Sequence, residues 1–337
     1  MSIWKGKHGP LLIAEIGGNH EGNFEYAQKL TQLACESGVD AVKFQIYTGD
    51  SLVNKIEDPD RNKHFDKFVL EPDQYIKLAT QCKVNKVLFT ASVWDPSAFE
   101  WIDPYIPFYK IGSGDLTAYP ILDIVTSYGK PIILSTGLST MVEVEDSVKY
   151  IQSKNDIYKD KNNFSLLQCT SMYPIPDEDA NLHVMLEYKN KFNIAVGYSD
   201  HTIGTTAVET AVAMGAELIE FHFTDNREGK TFRDHQISFT KEEVILLIKK
   251  IKMIKDLMGD GVKQPLKSEI ESGHVESFRR GLYFKRDMKK GAVIKKEDLV
   301  VLRPDNGVGA NEYYNILGKR LIDNYKKLSK INMEVIK

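Results

Sequence analysis

Apolar, strand-like segments recur eight times in the first 225 residues, and a helix-like stretch follows each of them. Each segment is a continuous apolar run rather than an alternating one, which is typical of parallel strands buried on both faces. Eight such strands alternating with helices predict an α/β fold, the (β/α)₈ TIM barrel, whose active site lies where the strands end. The segments are LLIAEIG (11–17), AVKFQIY (41–47), VLFTAS (87–92), FYKIGSG (108–114), PIILSTG (131–137), FSLLQCTS (164–171), NIAVGYSDH (193–201) and ELIEFHF (217–223).

The stretches between these segments have helical periodicity. In residues 24–38, Tyr26, Leu30 and Leu33 share one face, and Gly38 is placed to end the helix. The same pattern recurs over 119–129, 141–152, 205–215 and 242–259.

The connection after the second strand is longer than the others, and its charged part covers residues 54–68. It predicts a mobile loop beside the ends of the strands. Two interpretations are open, because long loops of this kind are either plain surface or lids over a substrate.

After Gly259 the pattern changes. Residues 1–260 suffice for the barrel, and residues 261–276 are polar with Gly and Pro, which predicts a linker. Residues 277–337 cannot complete a closed barrel, so they predict a small second module with short strands. A module of this size has a marginal core in isolation.

Charge and composition exclude several classes of protein. Lys and Arg number 44 against 47 Asp and Glu, and no block of like charge stands out. We therefore expect no nucleic-acid partner and no membrane partner. The N-terminal MSIWKGKHGP lacks an apolar signal core, and the three cysteines, Cys35, Cys82 and Cys169, have no CxxC spacing. We therefore expect the cysteines to be reduced, buried packing residues and the protein to be cytoplasmic.

Polar side chains collect at the carboxyl ends of the predicted strands. Since these ends meet at one mouth of a barrel, the side chains are expected to converge on an active site. They are Glu15, Lys43, Gln45, Lys110, Ser113, Asp115, Ser135, Ser171, Tyr173, Ser199, His201 and His222.

Two of these residues are histidines on neighbouring strands, His201 and His222. Either alone is more often a hydrogen-bonded side chain, but adjacent strands lie only about 4.8 Å apart, so the pair could share a metal ion. With two protein ligands, the ion keeps positions open for water and substrate oxygen, as a Lewis acid requires. Imidazole with oxygen ligands favours Mn²⁺, with Mg²⁺ or Co²⁺ as alternatives.

Two others are lysines, Lys43 and Lys110. A buried ammonium is unfavourable unless it is paired, so two of them at the mouth predict an anionic ligand, such as a small phosphorylated acid. Nearby hydroxyls and the backbone amides of Gly112 and Gly114 can wrap phosphate oxygens. The alternative is that both lysines form salt bridges with Glu15 or Asp115.

Seven strings in a fixed order carry a resemblance to a known family: AEIGGNHEG, VKFQ, YKIGSGD, KPIILSTG, QCTSMYP, GYSDHT and EFHFTD. Together they resemble the bacterial sialic acid synthases, which make nonulosonic acids such as N-acetylneuraminate, legionaminate and pseudaminate. The C-terminal module resembles their antifreeze-like SAF domain, a β-clip fold. The resemblance covers essentially the whole chain.

The resemblance implies a function. Members of this family condense phosphoenolpyruvate with an N-acylated hexosamine, such as N-acetylmannosamine or a 2,4-diacetamido-trideoxyhexose, and release phosphate with cleavage of the C–O bond. They are metal-dependent transferases and domain-swapped homodimers. The implied phosphoenolpyruvate ligands are Lys43, Lys110, Ser113, Ser135 and Ser199, and the implied Mn²⁺ ligands are His201 and His222. Residues implied to contact the sugar or to move protons are Glu15, Gln45, Asp115, Tyr173 and Asp234. Arg303 is implied to reach the N-acyl group in the partner's barrel.

The chain departs from the family pattern at three places. Ala91 stands where the family usually has a hydroxyl, so Thr90 or Ser92 is expected to replace it as a phosphate donor. Ser171 replaces the usual asparagine, and Phe232-Arg233-Asp234 replaces Gly-Pro-Asp. These changes leave the choice of hexosamine open.

Two alternative functions stay open. One is a Schiff-base aldolase on the same barrel, with Lys43 or Lys110 as the covalent amine. The other is a non-catalytic sugar-binding protein, against which the intact lysines, serines and histidines argue.

Overall fold

The computed structural model describes residues 3–336. The chain divides after Gly259 into two compact units, residues 1–259 and residues 260–337. The division lies close to the end of the predicted barrel at residue 260.

Within residues 3–336, the N-terminal unit contains eight parallel strands that pair in chain order. The first strand also pairs with the eighth, so the sheet closes on itself. This confirms the prediction of a TIM barrel. A two-residue strand, Lys5–Gly6, pairs antiparallel with the start of the first strand. The barrel strands are β1 (Gly9–Glu15), β2 (Ala41–Ile46), β3 (Leu88–Val93), β4 (Tyr109–Ile111), β5 (Ile132–Ser135), β6 (Phe164–Cys169), β7 (Ala195–Asp200) and β8 (Leu218–His222).

Helices alternate with these strands and include all five of the predicted stretches. Their ends follow from capping groups: Asn23 accepts a hydrogen bond from the Tyr26 amide, and Gly38 ends the first helix with φ 98°. Thr140 and Thr240 open two later helices with capping boxes. The helices are α1 (Phe24–Ser37), α2 (Gly49–Leu52), α3 (Pro59–Asp66), α4 (Pro72–Val84), α5 (Phe99–Ile102), α6 (Tyr119–Ser127), α7 (Met141–Lys154), α8 (Val184–Lys191), α9 (Thr206–Ala213) and α10 (Lys241–Met258).

The strands bury both of their faces. The outward side chains pack beneath the helices in one large core, which includes Leu12 and Ala14 of β1. The inward side chains of the lower barrel form a second core, which includes Leu11 and Ile13. Because inward positions alternate along a strand, the next inward residue of β1 is Glu15, at the mouth. The polar mouth is therefore the top layer of an interior whose lower layers are apolar.

The predicted mobile loop at 54–68 is instead partly helical, since it contains α3. Asp58 caps the helix by accepting a hydrogen bond from the Arg61 amide, and Pro59 occupies its first turn. The prediction failed because α3 has almost no apolar periodicity and is exposed along most of its length. Strand ends also differ from prediction: β4 stops at Ile111, since residues 113–115 form a tight turn.

The C-terminal unit contains a two-stranded antiparallel sheet and short helices. Leu282 and Phe284 pack with Ile316 and Ile331 in a small core of their own. The predicted linker, 261–276, is not simply extended, because two short helices lie largely within it. The elements are α11 (Lys267–Glu271), α12 (His274–Ser277), β9 (Gly281–Phe284), β10 (Leu299–Leu302) and α13 (Tyr313–Ile316).

In the described part of the chain, every helix is too short or too polar to cross a lipid bilayer.

Candidate active site

A cavity of about 1160 Å³ opens at the carboxyl end of the barrel strands. Fourteen of the sixteen predicted site residues line it. They are Glu15, Lys43, Gln45, Ser92, Lys110, Ser113, Asp115, Ser135, Ser171, Tyr173, Ser199, His201, His222 and Asp234. The topology explains this convergence, because each residue lies among the last four residues of a barrel strand, within four residues after it or, for Asp234, in the loop after β8.

Glu15 and Lys43 form an ion pair on the floor of the cavity. Glu15 Oε2 lies 2.7 Å from Lys43 Nζ, and both side chains are buried. The carboxylate also accepts a hydrogen bond from Gln45 Nε2 at 2.7 Å, and Lys43 donates to Ser92 Oγ at 3.2 Å. Burial would lower the pKa of Lys43, but Glu15 and Glu220 outweigh it and raise that pKa. Lys43 is therefore a fixed cation.

Lys110 has a different partner, Glu220, which lies on β8 in the barrel interior. Lys110 Nζ is 3.6 Å from Glu220 Oε1, and Ser199 Oγ donates to the same carboxylate oxygen at 3.0 Å. Burial alone would raise the pKa of Glu220, but the ammonium groups of Lys110 and Lys43 lower it to about 2. Burial lowers the pKa of Lys110. The floor thus holds two ammonium and two carboxylate groups in one buried cluster.

His201 and His222 lie side by side, with their ring centroids 5.3 Å apart. His201 Nδ1 lies 2.7 Å from the Thr170 carbonyl, which can only accept, so this nitrogen donates, and in the neutral ring Nε2 keeps its lone pair. His222 Nδ1 is buried without a hydrogen-bond partner, 3.7 Å from Asp234 Oδ2. Burial, with the neighbouring His201, holds the pKa of His222 well below its usual value.

This donor set fits a divalent metal ion with two protein ligands. A metal ligand must be a neutral imidazole, and both rings can meet that requirement. Between residues 3 and 336, no group of three or more His, Cys, Asp or Glu side chains is arranged to hold a metal. Water and substrate would therefore have to complete the coordination of an ion held by His201 and His222.

Hydroxyl groups line the remaining floor. Ser135 Oγ is buried without a hydrogen-bond partner in the described residues. Ser113 Oγ accepts a hydrogen bond from the Gly137 amide at 3.0 Å. A side chain at Gly137 would place its first carbon 2.4 Å from Ser171 Oγ, so the glycine keeps these hydroxyls together. The orphaned hydroxyl of Ser135 is suited to donate to a bound anion.

Comparison with known proteins identifies the family of this chain. Residues 30–263 match the NeuB family, and residues 279–328 match the SAF domain. The chain belongs to the NeuB family. The predicted resemblance to the sialic acid synthases and their SAF domain is therefore confirmed.

Individual relatives of the NeuB chain differ in their products. The chain is 36% identical to the N,N'-diacetyllegionaminic acid synthase of Legionella pneumophila. The match covers 92% of this chain and 90% of the relative. The chain is 30% identical to the pseudaminic acid synthase of Campylobacter jejuni, over 92% of each chain. The crystal structure of the N-acetylneuraminic acid synthetase from Leptospira borgpetersenii in complex with citrate superposes with a TM-score of 0.72. That match has 29% identity and covers 79% of this chain and 90% of that one.

Two of the residues predicted for this NeuB site do not line the cavity. Thr90 lies one inward layer below Ser92, where its hydroxyl donates to the Phe108 carbonyl at 2.7 Å. Of the two hydroxyls considered as replacements at Ala91, only Ser92 therefore reaches the mouth. Arg303 lies in the C-terminal unit, exposed, with its guanidinium over the Phe278 ring at 5.4 Å.

Two residues that lie on barrel strands and line the cavity were missed by the prediction. Glu220 was not among the predicted site residues, although it precedes His222 by two positions and so shares its face of β8. Cys169 was predicted as a packing residue, but it lines the cavity, with Sγ 3.9 Å from His201 Nδ1. Its position at the end of β6 was the available signal. The alternative for the lysines, salt bridges with Glu15 or Asp115, holds for Lys43, which pairs with Glu15, whereas Lys110 pairs with Glu220.

The rim of the NeuB cavity comes partly from the α2–α3 segment, whose Asn54, Arg61 and Phe65 line the mouth. The loop after β8 forms another part. There, Arg233 Nε donates to Asp234 Oδ1 at 3.0 Å, and its guanidinium lies over the Tyr173 ring at 4.4 Å. The departure from Gly-Pro-Asp thus places a cation at the rim.

Proposed function

We propose that this NeuB-family barrel is a nonulosonic acid synthase. It condenses phosphoenolpyruvate with an N-acylated hexosamine and releases phosphate by cleavage of the C–O bond. The observation that carries the proposal is the joint placement, in one cavity, of two buried lysines and two histidines with available ring nitrogens.

The lysine side of the cavity suits phosphoenolpyruvate, which carries a carboxylate and a phosphate. Lys43 and Lys110 supply positive charge, and Ser92, Ser113 and Ser135 supply hydroxyl donors. In a buried site these charge-assisted hydrogen bonds are stronger than at an exposed surface. The carboxylates of Glu15 and Glu220 keep both lysines ordered before the substrate arrives.

The histidine side suits the sugar aldehyde. His201 and His222 would hold a divalent metal ion, Mn²⁺ in this proposal, which when bound supplies Lewis-acid polarisation of a carbonyl oxygen. Tyr173, whose ring lies 4.1 Å from that of His201, and Asp234 provide polar contacts for the sugar hydroxyls.

The proposed reaction forms one carbon–carbon bond and breaks the C–O bond to phosphate. Carbon 3 of phosphoenolpyruvate attacks the aldehyde carbon, and the aldehyde oxygen takes up a proton. Water adds at carbon 2, and the tetrahedral intermediate releases phosphate together with the bridging oxygen. Burial raises the pKa of Glu15, with Lys43 opposing the effect. Glu15, whose carboxylate lies on the floor of the cavity beside Lys43, is the group that we propose to move protons in this reaction.

The direct test is phosphate release from phosphoenolpyruvate labelled with ¹⁸O at the bridging oxygen, in the presence of Mn²⁺ and an N-acylated hexosamine. The expected result is release that depends on the sugar, with the label in phosphate. Label retained in the sugar product would contradict C–O cleavage. The acceptor panel is N-acetylmannosamine, its 6-phosphate, 2,4-diacetamido-2,4,6-trideoxymannose and the corresponding altrose derivative.

The same preparation distinguishes the alternatives. Burial lowers the pKa of Lys110, which makes it the better amine for a Schiff base. Borohydride added with a keto acid would trap that adduct as a mass increase on Lys110. The synthase proposal predicts no adduct and loss of activity on treatment with EDTA. Calorimetric sugar binding without any phosphate release would instead indicate a binding protein.

A further inference from the structure

The loop after β8 carries an arginine where the family pattern has a proline. Arg233 is the first residue of a short helical turn, Arg233–Ile237, and Phe232 before it has an extended backbone, with φ −70° and ψ 126°. A proline fits such a position, because the first amide of a helix needs no intrahelical partner and the residue before a proline is usually extended. The backbone therefore admits the family residue, and the difference in this chain lies in the arginine side chain.

Phe232, which stands where the pattern has glycine, fixes this loop to the barrel. Its ring packs on that of Phe68, with centroids 4.8 Å apart. It also lies against Gly18, where an added Cβ would be 2.7 Å from the Phe232 ring. The side chain of Arg233 therefore extends from a backbone that is already held in place.

The guanidinium of Arg233 contacts two groups at the mouth. Nε donates a hydrogen bond to Asp234 Oδ1 at 3.0 Å, and the central carbon lies 4.4 Å from the centroid of the Tyr173 ring. That ring is itself packed against both histidines, with centroid distances of 4.1 Å to His201 and 5.6 Å to His222. Since a cation is attracted to the face of an aromatic ring, Tyr173 supports the guanidinium beside Asp234.

Asp234 depends on this contact. Its side chain is 7% exposed, against 67% for Arg233. Oδ2 lies 3.7 Å from His222 Nδ1, and among residues 3–336 Arg233 is the one hydrogen-bond donor to the carboxylate. Ion pairs between two exposed side chains contribute little, but a buried carboxylate needs its partner. Because the last torsion of an aspartate has no sharp preference, the hydrogen bond from Arg233 sets how the carboxylate is turned.

We infer that Arg233 is a positioning residue for the acceptor. It holds the Asp234 carboxylate in the orientation from which that group contacts a hydroxyl of the sugar, and it does not touch the reacting atoms itself. The inference rests on the proposed function and adds a residue to it. A proline at this position would restrict only the backbone, whereas the arginine acts directly on the neighbouring side chain.

The first test replaces the arginine and follows each substrate separately. Arg233→Ala should raise the KM for the best acceptor of the panel by about tenfold and leave the KM for phosphoenolpyruvate within about twofold, because only the sugar end of the cavity loses its orientation. Arg233→Lys keeps a cation beside Asp234 and should recover most of that loss. The Mn²⁺ content after gel filtration should equal that of the wild type in both variants.

The matched control is Arg227→Ala. Arg227 belongs to the same loop and also pairs with a carboxylate, that of Glu243, but it does not line the cavity. Its replacement should leave both KM values unchanged. Urea denaturation checks that the variants are folded, and Arg233→Gln, which keeps much of the side chain without its charge, takes the place of Arg233→Ala if that variant does not fold.

The second test is a double-mutant cycle. Asp234→Asn should by itself raise the KM for the acceptor, because an amide replaces the carboxylate that contacts the sugar. In that background Arg233→Ala should add less than about twofold, because the group through which Arg233 acts is already changed. An undiminished further loss means that Arg233 acts independently of Asp234 and overturns the inference.

Other contrary results separate the inference from the proposed function. The inference is overturned by an unchanged acceptor KM in Arg233→Ala, by an equal rise in both KM values, by a lysine variant as impaired as the alanine variant, or by loss of bound Mn²⁺. In each of these cases the proposed function stands. Absence of phosphate release by the wild type with every acceptor overturns both.

Discussion

Glu220 Oε1 lies 3.6 Å from Lys110 Nζ, and neither side chain has more than a small fraction of its surface exposed. Ser199 Oγ donates to the same carboxylate oxygen. The carboxylate therefore holds a buried ammonium in place on the floor of the cavity.

Replacing Glu220 with Gln should destabilise the protein by roughly 3 kcal/mol, because it leaves a buried cation without its countercharge. Glutamine keeps a carbonyl oxygen for the Ser199 hydroxyl, so the change isolates the charge. Urea denaturation at pH 7.5 measures the effect. The double variant Lys110→Met with Glu220→Leu serves as control and should recover much of the loss. A single variant that unfolds at the wild-type urea concentration would show that the pair is not coupled.

Removal of either histidine should abolish metal binding. His201→Ala and His222→Ala each delete one of two protein ligands, so Mn²⁺ content after gel filtration should fall to background. Turnover should fall at least about 100-fold, since loss of even an outer partner of a metal ligand costs about 10–100-fold. His183→Ala, on an exposed histidine, is the control. Near-normal turnover with retained metal dependence in His222→Ala would refute the assignment.

Arg303 is predicted to act in the barrel of a partner subunit. Arg303→Ala should raise the KM for the sugar by about tenfold or more while leaving the KM for phosphoenolpyruvate nearly unchanged, because a guanidinium donates directed hydrogen bonds to an acyl carbonyl. Arg279→Ala, on an exposed arginine of the same unit, is the control.

Subunit mixing tests whether Arg303 works across a dimer. Heterodimers of Arg303→Ala with His222→Ala should regain activity, because one barrel is then intact and receives an intact Arg303 from its partner. Verified heterodimers without such rescue would mean that the arginine acts in its own chain or has no catalytic role.

His20 should make stability depend on pH. Burial lowers the pKa of this imidazole to about 4, whereas the unfolded chain titrates near 6.5. Its contribution is therefore complete above pH 6.5 and is lost as the pH falls toward 4, because only the unfolded chain takes up the proton. Between pH 7.5 and 5 this amounts to about 2 kcal/mol.

The variant that isolates this contribution is His20→Asn, whose side-chain oxygen can still accept the hydrogen bond that the Gly22 amide donates to Nδ1 at 3.1 Å. Urea denaturation at both pH values should show a smaller loss on acidification in the variant than in the wild type. An identical loss in both proteins would assign the pH dependence to other groups.

The strands were predictable because short, continuous apolar runs bounded by polar residues are typical of buried parallel strands, and the mouth followed from where those runs end. Helix α3 was not predictable in this way, because its surface is nearly all solvated and no apolar stripe marks it. The local signals were the cap at Asp58 with Pro59, an acidic first turn and a basic last turn. Capping residues identify such helices where hydrophobic periodicity does not.

The depth at which a side chain lies in the barrel was harder to predict from the sequence than its position at the mouth. Thr90 and Ser92 both point into the barrel and are only two positions apart on the strand. The Thr90 hydroxyl is nevertheless buried against the backbone, whereas the Ser92 hydroxyl lines the cavity. Glu220 was overlooked because it sits within an apolar run, where a carboxylate is not expected without a partner. Its partner, Lys110, lies on a strand that is distant in sequence, and only the folded barrel brings the two together.

Closure of the barrel has a consequence for synthesis of the chain. Glu15 pairs in register with His222, so the first and last strands meet on the floor of the site. A ribosome delivers Glu15 and Lys43 early and delivers Glu220 and His222 only after seven strands have emerged. Until then β1 presents an unpaired edge, and the growing sheet has two open borders to protect. Assembly of the buried floor of the site and the loss of the last exposed sheet edge are therefore a single event in the life of the nascent protein.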